Sequence, residues 1–384
     1  MFHREFSPLK SRSFFLLGAR GTGKSTWVKG EFTKDFHYID LLQEKFESRY
    51  QRNPDLLEAD LRALKPKPIW VIIDEIQKVP KLLDIVHRLI ESSKMKFVLT
   101  GSSARKLKRQ SANLLAGRAN VYELFPLSCR ELGDDFKLDE ILCWGSLPSI
   151  FALKSAREKS SYLKAYCQTY LKEEILIEQL VRNGQSFRDF LLLAALENGN
   201  SLNFSKIGRD LNVDVKSVQT FFSILEDTLL GFYLPSFHRS LRKSQKKQPK
   251  FYLFDTGVKR AMEGTLKGAL QPRTAAYGKA FEHFFILEAF RMNRYWEADY
   301  RFSHYAEVRG GEIDLVLSRG KEVFAVEVKS GDQVDPIEVK KFSRLADVLK
   351  PSRKILVSQD PIASSIEGVD CLSWQRALKE IFAQ

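Results

Sequence analysis

An apolar run at residues 14–17 passes directly into Gly18-Ala-Arg-Gly-Thr-Gly-Lys-Ser25, and this succession constrains the fold more than any other stretch of the chain. It fits the pattern GxxxxGK[ST], which requires a strand before it and a helix after it. The glycines let backbone N–H groups turn inward around phosphates, Lys24 reaches the β and γ phosphates, and the Ser25 hydroxyl can ligate Mg²⁺. Thr26, Trp27 and Val28 then open the helix whose positive end faces the anion. Gly18, Arg20, Gly21, Thr22, Gly23, Lys24, Ser25 and Thr26 are therefore the expected cradle for ATP with Mg²⁺. A chance glycine-rich turn is disfavoured by the preceding strand and by the acidic partner motif downstream.

Further apolar runs at 36–40, 69–75, 96–100 and 120–124 are separated by helix-like or loop sequence, which predicts a parallel sheet flanked by helices. Ile69-Trp-Val-Ile-Ile-Asp-Glu75 is apolar throughout, as a strand buried on both faces should be, and ends in two carboxylates. In this Walker B arrangement Asp74 holds the Mg²⁺ shell, and Glu75 polarises the attacking water as general base. A solvated acidic strand end is the bland alternative. The next strand ends in Leu99-Thr-Gly-Ser-Ser103, so Thr100 or Ser102 either senses the γ-phosphate or belongs to an ordinary turn. Arg118 is the first candidate for an arginine that stabilises phosphoryl-transfer charge from an adjoining subunit, with Arg105 and Arg109 competing and an ordinary surface role open for each.

Four features bound the class. With 384 residues the chain exceeds one comfortable core, so two or three domains are expected. A formal net charge of +13 favours a polyanionic partner, nucleic acid before an acidic membrane surface. No signal-like or membrane-spanning apolar run is present, so a cytoplasmic location is expected. Cys129, Cys143, Cys167 and Cys371 lack metal-ligand spacing and are expected to be reduced structural thiols.

Asp74-Glu-Ile-Gln-Lys-Val-Pro80, the Thr-Gly-Ser-Ser stretch, Leu115-Ala-Gly-Arg118, Leu124-Phe-Pro-Leu-Ser128 and Trp144-Gly-Ser-Leu-Pro148 occur in order at plausible spacings. In combination they resemble the bacterial and archaeal AAA-type ATPases that carry a nuclease-like C-terminal domain, over nearly the whole chain. The resemblance implies an additional-strand, catalytic-glutamate ATPase core at 1–150 with Lys24, Ser25, Asp74 and Glu75 at its nucleotide site, and it implies oligomerisation. The family often has two adjacent glycines where this chain has Trp144-Gly145.

Residues 151–200 are expected to form a helical connector, in which Tyr162, Tyr166, Tyr170 and Ile177 fall near one face and favour core over a nucleic-acid platform. Residues 201–260 are expected to form a winged helix. Asn203 to Phe221 has the spacing of a helix-turn-helix, with Arg209, Lys216, Ser217, Gln219 and Thr220 as exposed contacts. Two strand-like runs follow, at 231–235 and 251–255. They are joined by a segment rich in Arg239, Arg242, Lys243, Lys246, Lys247 and Lys250 that contains no acid and suits a phosphate backbone. A packing module with a merely solvated loop is the alternative.

From 261 to 384, an amphipathic helix carries Glu282, and the runs 311–317 and 322–329 predict a hairpin around Arg319-Gly320. Glu327 and Lys329, two apart on one strand, leave the same face, and Asp314 lies on the neighbouring strand. Two carboxylates beside a lysine suit metal-dependent phosphodiester hydrolysis. Asp314 and Glu327 would hold Mg²⁺, Lys329 would orient water, and Glu282 would complete the site from the helix. This pattern resembles the PD-(D/E)XK restriction-endonuclease-like family, with every signature residue in place, which implies a C-terminal α/β domain and a second Mg²⁺ or Mn²⁺. A salt-bridged hairpin, or a retained fold without turnover, is the alternative.

The chain is thus expected to be an α/β protein: a P-loop NTPase parallel-sheet core, a helical and winged-helix region, and a restriction-endonuclease-like domain. The expected function is ATP-driven DNA processing by a homo-oligomer, with metal-dependent cleavage left open. A non-cleaving, nucleotide-gated DNA-binding or signalling switch is the alternative from another class. RNA as the polyanion is a third, without an aromatic RNA-binding signature to support it.

Overall fold

The computed structural model describes residues 2–382 except 94, 104–116, 171–183, 239–246 and 308–309. It divides into two compact units. The first comprises residues 1–127 with 147–149 and 224–230, and the second the remainder.

The first unit is built on a five-stranded parallel sheet of β1 (Ser13–Leu17), β2 (Phe36–Asp40), β3 (Trp70–Asp74), β4 (Lys96–Gly101) and β5 (Ala119–Glu123). Their spatial order is β2-β3-β4-β1-β5, so one strand, β4, separates the strand leading to the phosphate loop from the acidic strand. This is the parallel sheet of a P-loop NTPase core. Alternation along each strand sends neighbouring side chains to opposite faces. Phe15, Leu17, Val71, Ile73, Phe97 and Leu99 pack on one face against Leu57, Leu61, Leu83, Val86 and Leu89 from the helices Leu56–Ala63 and Leu82–Ser92. On the other face Phe14 meets Trp27 and Phe32 at and beyond the helix Lys24–Glu31, together with Trp70 and Tyr122. With both faces covered, the strands read as unbroken apolar runs.

The second unit holds a helical region, a two-stranded antiparallel pair and a six-stranded mixed sheet. The helices Phe204–Leu211 and Val215–Asp227, the last four residues of which are counted with the first unit, are joined at Asn212, whose left-handed backbone (φ 52°) caps the first. Antiparallel β6 (Gly231–Leu234) and β7 (Lys250–Leu253) follow. The large sheet runs β12-β13-β11-β10-β9-β8, from β8 (Arg301–Ala306), β9 (Glu312–Arg319), β10 (Glu322–Val328), β11 (Arg353–Ser358), β12 (Ser364–Ile366) and β13 (Val369–Ser373). Gly320, with φ 59°, makes the expected tight turn between β9 and β10. Ile313, Val316 and Ala325 pack with Val339, Phe342 and Ala346 of the helix Pro336–Asp347.

The long helix Ala275–Tyr295 is anchored by charge as well as by apolar packing. Glu288, 1% exposed, pairs with Arg291 at 2.8 Å and accepts the Cys129 N–H, while Arg291 also donates to Ser146 and to the Phe254 carbonyl. Buried Asp255 accepts from the N–H groups of Ser146 and Val258. The close approach here explains why one glycine suffices at Trp144-Gly145. Trp144 is the last residue of the helix Leu138–Trp144, and only Gly145 takes a positive φ, of 74°. The matching approach from the other side is at Gly257, where a Cβ would lie 2.0 Å from the Trp144 carbonyl oxygen.

Of the aromatic stripe in the connector, Tyr166 is buried and packs on Tyr162 and Phe254, as core; Ile177 lies outside the described residues. All four cysteines are free thiols. No described helix is long and apolar enough to cross a membrane.

Candidate functional site

The phosphate loop leaves the C-terminal edge of the parallel sheet, between β1 and the helix Lys24–Glu31. Its base is fixed by close packing. Gly18 donates to the Gly101 carbonyl at 3.2 Å, and a Cβ on Gly18 would sit 2.3 Å from the Leu124 carbonyl oxygen. Gly21 and Gly23 carry positive φ, 82° and 94°, which directs the intervening backbone around a concavity. Thr22 is buried and its hydroxyl donates to the Ala19 carbonyl at 2.9 Å, whereas Arg20, Gly21 and Thr26 are exposed at the rim. The buried Lys24 ammonium turns onto the loop itself, donating to the carbonyls of Gly18 (2.7 Å) and Ala19 (3.2 Å).

Beside the loop, Asp74 at the end of β3 is buried and held from two sides. The Thr100 hydroxyl donates to one carboxylate oxygen and the Tyr38 hydroxyl to the other. Ser25 lies beside the same Tyr38 hydroxyl, so one phenol stands between the two groups expected to ligate Mg²⁺. Burial, and then the hydrogen bond to Asp74, push the Tyr38 phenol well above its ordinary range, so it stays a neutral donor. Hard oxygen donors converging here, from Ser25 and Asp74, fit Mg²⁺ chemistry.

Glu75 takes a left-handed backbone, φ 61°, a conformation costing a non-glycine residue roughly 1–2 kcal/mol. Its N–H donates to Thr100 Oγ1 at 3.2 Å, and its carboxylate accepts from the Gln77 amide, which also donates to Ser102 Oγ at 3.0 Å. Thr100 and Ser102 are thus joined to the two carboxylates, directly and through Gln77. Tyr38 and Gln77 were not among the residues singled out from sequence. Nor was Arg4, whose buried guanidinium clamps the loop by donating to the carbonyls of Thr22 (2.8 Å) and Phe125 (2.6 Å).

Arg118 immediately precedes β5. Because β5 runs parallel to β1, with Ala119 opposite Ser13 and Glu123 opposite Leu17, Arg118 lies at the N-terminal edge of the sheet, away from its own phosphate loop. Its guanidinium, 38% exposed, donates to Glu91 at 2.9 Å. The competitors Arg105 and Arg109 lie outside the described residues.

In the second unit, Arg209, Lys216, Gln219 and Thr220 are exposed on the paired helices, and Ser217 is half-buried against Asp214. Lys247 is exposed, its ammonium 5.6 Å from the Tyr305 ring centroid. Arg239, Arg242, Lys243 and Lys246 lie outside the described residues.

Lys250 corrects the expectation of an exposed phosphate contact. It is the first residue of β7 and only 3% exposed, and its ammonium pairs with Glu312 at 2.5 Å and Glu282 at 3.4 Å. Two residues along the same strand face, the Tyr252 hydroxyl donates to Glu282 at 2.6 Å. The strand alternation turns Lys250 inward, and burial next to carboxylates is what makes its charge tolerable. Burial alone would lower its pKa, but Glu282, Asp314 and Glu312 together hold it above the usual lysine range.

Asp314 and Glu327 lie within electrostatic reach of this ammonium. Asp314 accepts the Val328 N–H at 2.9 Å, and Glu327 pairs with Lys329 at 2.9 Å, its other oxygen buried without a partner among the described residues. Burial, then Glu282 and Glu327, raise the Asp314 pKa, and burial likewise raises Glu327 against the pull of Lys329. With Glu282, Asp314, Glu327 and Lys329, which the sequence had grouped, stand Lys250, which it had assigned to nucleic acid, and Tyr252 and Glu312, which it had not singled out. As metal ligands Glu282, Asp314 and Glu327 do not fit in this arrangement. An ammonium and a phenol engage Glu282, an ammonium engages Glu327, and among the described residues no three His, Cys, Asp or Glu side chains are disposed to hold one ion.

Residues 10–133 match the family described as AAA domain, 135–268 a domain of unknown function (DUF8612), and 277–376 another domain of unknown function (DUF4143). An uncharacterised protein of Mycobacterium tuberculosis is 24% identical over 65% of this chain, which spans 58% of that relative's length. An uncharacterised protein of Haemophilus influenzae is 24% identical over 81% of this chain and 80% of its own length. A Bacillus subtilis DNA clamp loader delta protein, aligned over 72% of this chain and 95% of its own, shares 12% identity at a TM-score of 0.25, a likeness that carries no argument. The N-terminal region is thus an AAA-type, P-loop ATPase-like domain, and the C-terminal region a DUF4143 domain.

Proposed function

We propose that this chain is a Mg²⁺-dependent ATPase whose nucleotide state controls its hold on DNA, working as a homo-oligomer with Arg118 supplied between subunits. The observation that carries the proposal is the hydrogen-bonded set Tyr38–Asp74–Thr100–Glu75, with Ser25 of the phosphate loop beside Tyr38. Bound Mg²⁺ would offset charge on the transferring phosphoryl group. The chain would do the rest. The loop amides bind phosphate, and Lys24 exchanges the neutral carbonyls of Gly18 and Ala19 for phosphate oxygens, a stronger charge-assisted pairing. Glu75, aimed by its constrained backbone and by Gln77, accepts a proton from the attacking water.

DNA as the polyanion is supported by the charge of +13 and by exposed Arg209, Lys216, Gln219 and Lys247 around a helix-turn-helix and strand pair that we read as a winged helix. ATP turnover should rise with duplex, single-stranded or branched DNA, and Lys24→Ala should abolish it. Absence of binding and of stimulation by every DNA form would overturn the proposal.

The C-terminal domain supports a recognition module rather than a cutting one, because a lysine stands among its carboxylates. Supercoiled plasmid should remain un-nicked in Mg²⁺ or Mn²⁺ by both wild type and Asp314→Ala. Nicking by wild type that the substitution removes would restore the nuclease reading.

A further inference from the structure

In the helix Ala156–Ala165 of the second unit, Arg157, Ser160, Ser161 and Lys164 recur at the spacing that puts side chains on one helical face, and that face borders a cleft of about 640 Å³. Arg260 of the helix Thr256–Glu263 and Lys267 beyond it also line the cleft, and no described lining residue is a carboxylate. Charges on these elements are sorted by position. Lys159, off the stripe, pairs with Glu140 at 2.5 Å, and Lys259 pairs with Glu263 at 2.5 Å. Glu158 is engaged at the start of its own helix, where it accepts the Ser155 N–H at 2.9 Å. The four cations of the cleft have no carboxylate partner among the described residues. Arg260 is 5% exposed, and its guanidinium donates to the carbonyls of Cys143 (3.1 Å), Thr265 (2.7 Å) and Gly268. Carbonyl dipoles satisfy N–H groups but leave the positive charge unneutralised. The same bonds tie the cleft's walls to one another, so the cavity is pre-formed.

We propose that this cleft binds a nucleoside polyphosphate. It lies wholly within the second unit, so it is a site apart from the phosphate loop and does not depend on what that loop does. Phosphate oxygens supply the negative charge that the four cations lack, and a guanidinium already withdrawn from water pairs with them most strongly. Ser160 and Ser161 add hydroxyl donors beside the charges. Trp144 and Leu266 contribute an aromatic and an apolar surface, which bare phosphate cannot use and a nucleobase can. The volume falls within the roughly 300–1,000 Å³ of small-molecule sites, and a concavity suits a compact molecule, whereas a nucleic-acid backbone is followed along an open surface.

The test uses the full chain in a Lys24→Ala background, which weakens the phosphate-loop site, and titrates it calorimetrically with each of the common nucleoside 5′-diphosphates and with inorganic pyrophosphate. One equivalent of at least one nucleoside diphosphate should bind, at least about tenfold more tightly than pyrophosphate. Arg157→Glu with Lys164→Glu, both exposed, should weaken that binding at least about tenfold with the thermal midpoint unchanged. Lys341→Glu with Arg344→Glu, the same change of charge at exposed positions of the helix Pro336–Asp347, should leave it within about threefold. Trp144→Leu should weaken the nucleoside diphosphate and leave pyrophosphate unaltered. Absence of binding, binding indifferent to Arg157 and Lys164, or an equal loss in the Lys341 and Arg344 control would overturn the proposal. So would pyrophosphate bound as tightly as every nucleotide, or an oligonucleotide that displaces the nucleotide at lower concentration and shows the same dependence on Arg157 and Lys164. ATP turnover does not enter the measurement.

Discussion

Replacing Thr100 by Val tests whether the buried hydroxyl at the end of β4 organises the hydrolytic carboxylates. Thr100 is wholly buried, donates to Asp74 and accepts from the Glu75 N–H at 3.2 Å. Val has nearly the same volume, so no cavity opens and the change is confined to hydrogen bonding. Losing a donor to a charged acceptor removes about 1.5–3 kcal/mol, and leaving the part-buried Glu75 N–H without its acceptor costs up to about 1–3 kcal/mol. Partial relaxation brings the expected stability loss to roughly 2–4 kcal/mol. Asp74 keeps the Tyr38 phenol, so nucleotide binding should weaken little. Glu75 loses the contact that holds its left-handed backbone, so kcat should fall about 100-fold, equivalent to about 2.7 kcal/mol of barrier. Thr100→Ser provides the control: it restores the hydroxyl, loses only a methyl worth about 1 kcal/mol, and should keep kcat within about threefold. Steady-state ATP turnover, nucleotide titration and urea denaturation of the three chains give the comparison. If Thr100→Val turns over at the wild-type rate, or Thr100→Ser falls as far, the hydroxyl does not aim these carboxylates.

Gly18→Ala places a methyl group against the Leu124 carbonyl, so it should displace the loop base and weaken ATP binding at least about tenfold without altering any phosphate-contacting side chain; isothermal titration reads this. Glu288→Ala removes the counter-charge of buried Arg291 and the acceptor of the Cys129 N–H, for a loss of about 3–5 kcal/mol by denaturant midpoint. The double substitution Glu288→Met with Arg291→Met should recover most of that loss, since a matched apolar pair needs no counter-charge. Arg118→Ala should lower turnover only when subunits are assembled, and doping it with Glu75→Gln chains should restore part of the activity. Activity that scales with the concentration of unassembled Arg118→Ala chains as it does for wild type would refute the role.

What the sequence revealed of the nucleotide site was the part written in short range. Gly18 to Ser25 carries its strand and helix within a few residues, and the five expected strands fall within one residue of those observed at either end. Tyr38 and Gln77 were missed because their roles depend on which strands become neighbours. Tyr38 meets Asp74 only because β2 pairs with β3. Arg4 reaches Phe125 across 121 residues, a contact that no local pattern marks. Lys250 was misassigned for a different reason, since next to Lys246 and Lys247 it reads as one more charge of a basic loop. The signal that distinguishes it is alternation. Lys250 opens the apolar strand Phe251-Tyr-Leu-Phe, so its side chain shares a face with Tyr252, and that face is covered by carboxylates in the fold.

If Arg118 acts between subunits as proposed, its position sets a rule for assembly. The sheet is parallel, so its two edges are chemically unlike: one ends in the phosphate loop and Asp74, the other begins at Arg118. An arginine on the leading edge of one subunit meets the trailing edge of the next only in head-to-tail packing. A two-fold dimer, which presents the same patch on both sides of its interface, does not set those unlike edges against one another in an open-ended series. Repeated head-to-tail contacts close into a ring or continue as a helix, and the rotation between neighbours decides which. On the proposed role of Arg118, its surface ion pair with Glu91 would be a parking place, cheap to break because both side chains are partly exposed, from which a neighbour's nucleotide would draw it.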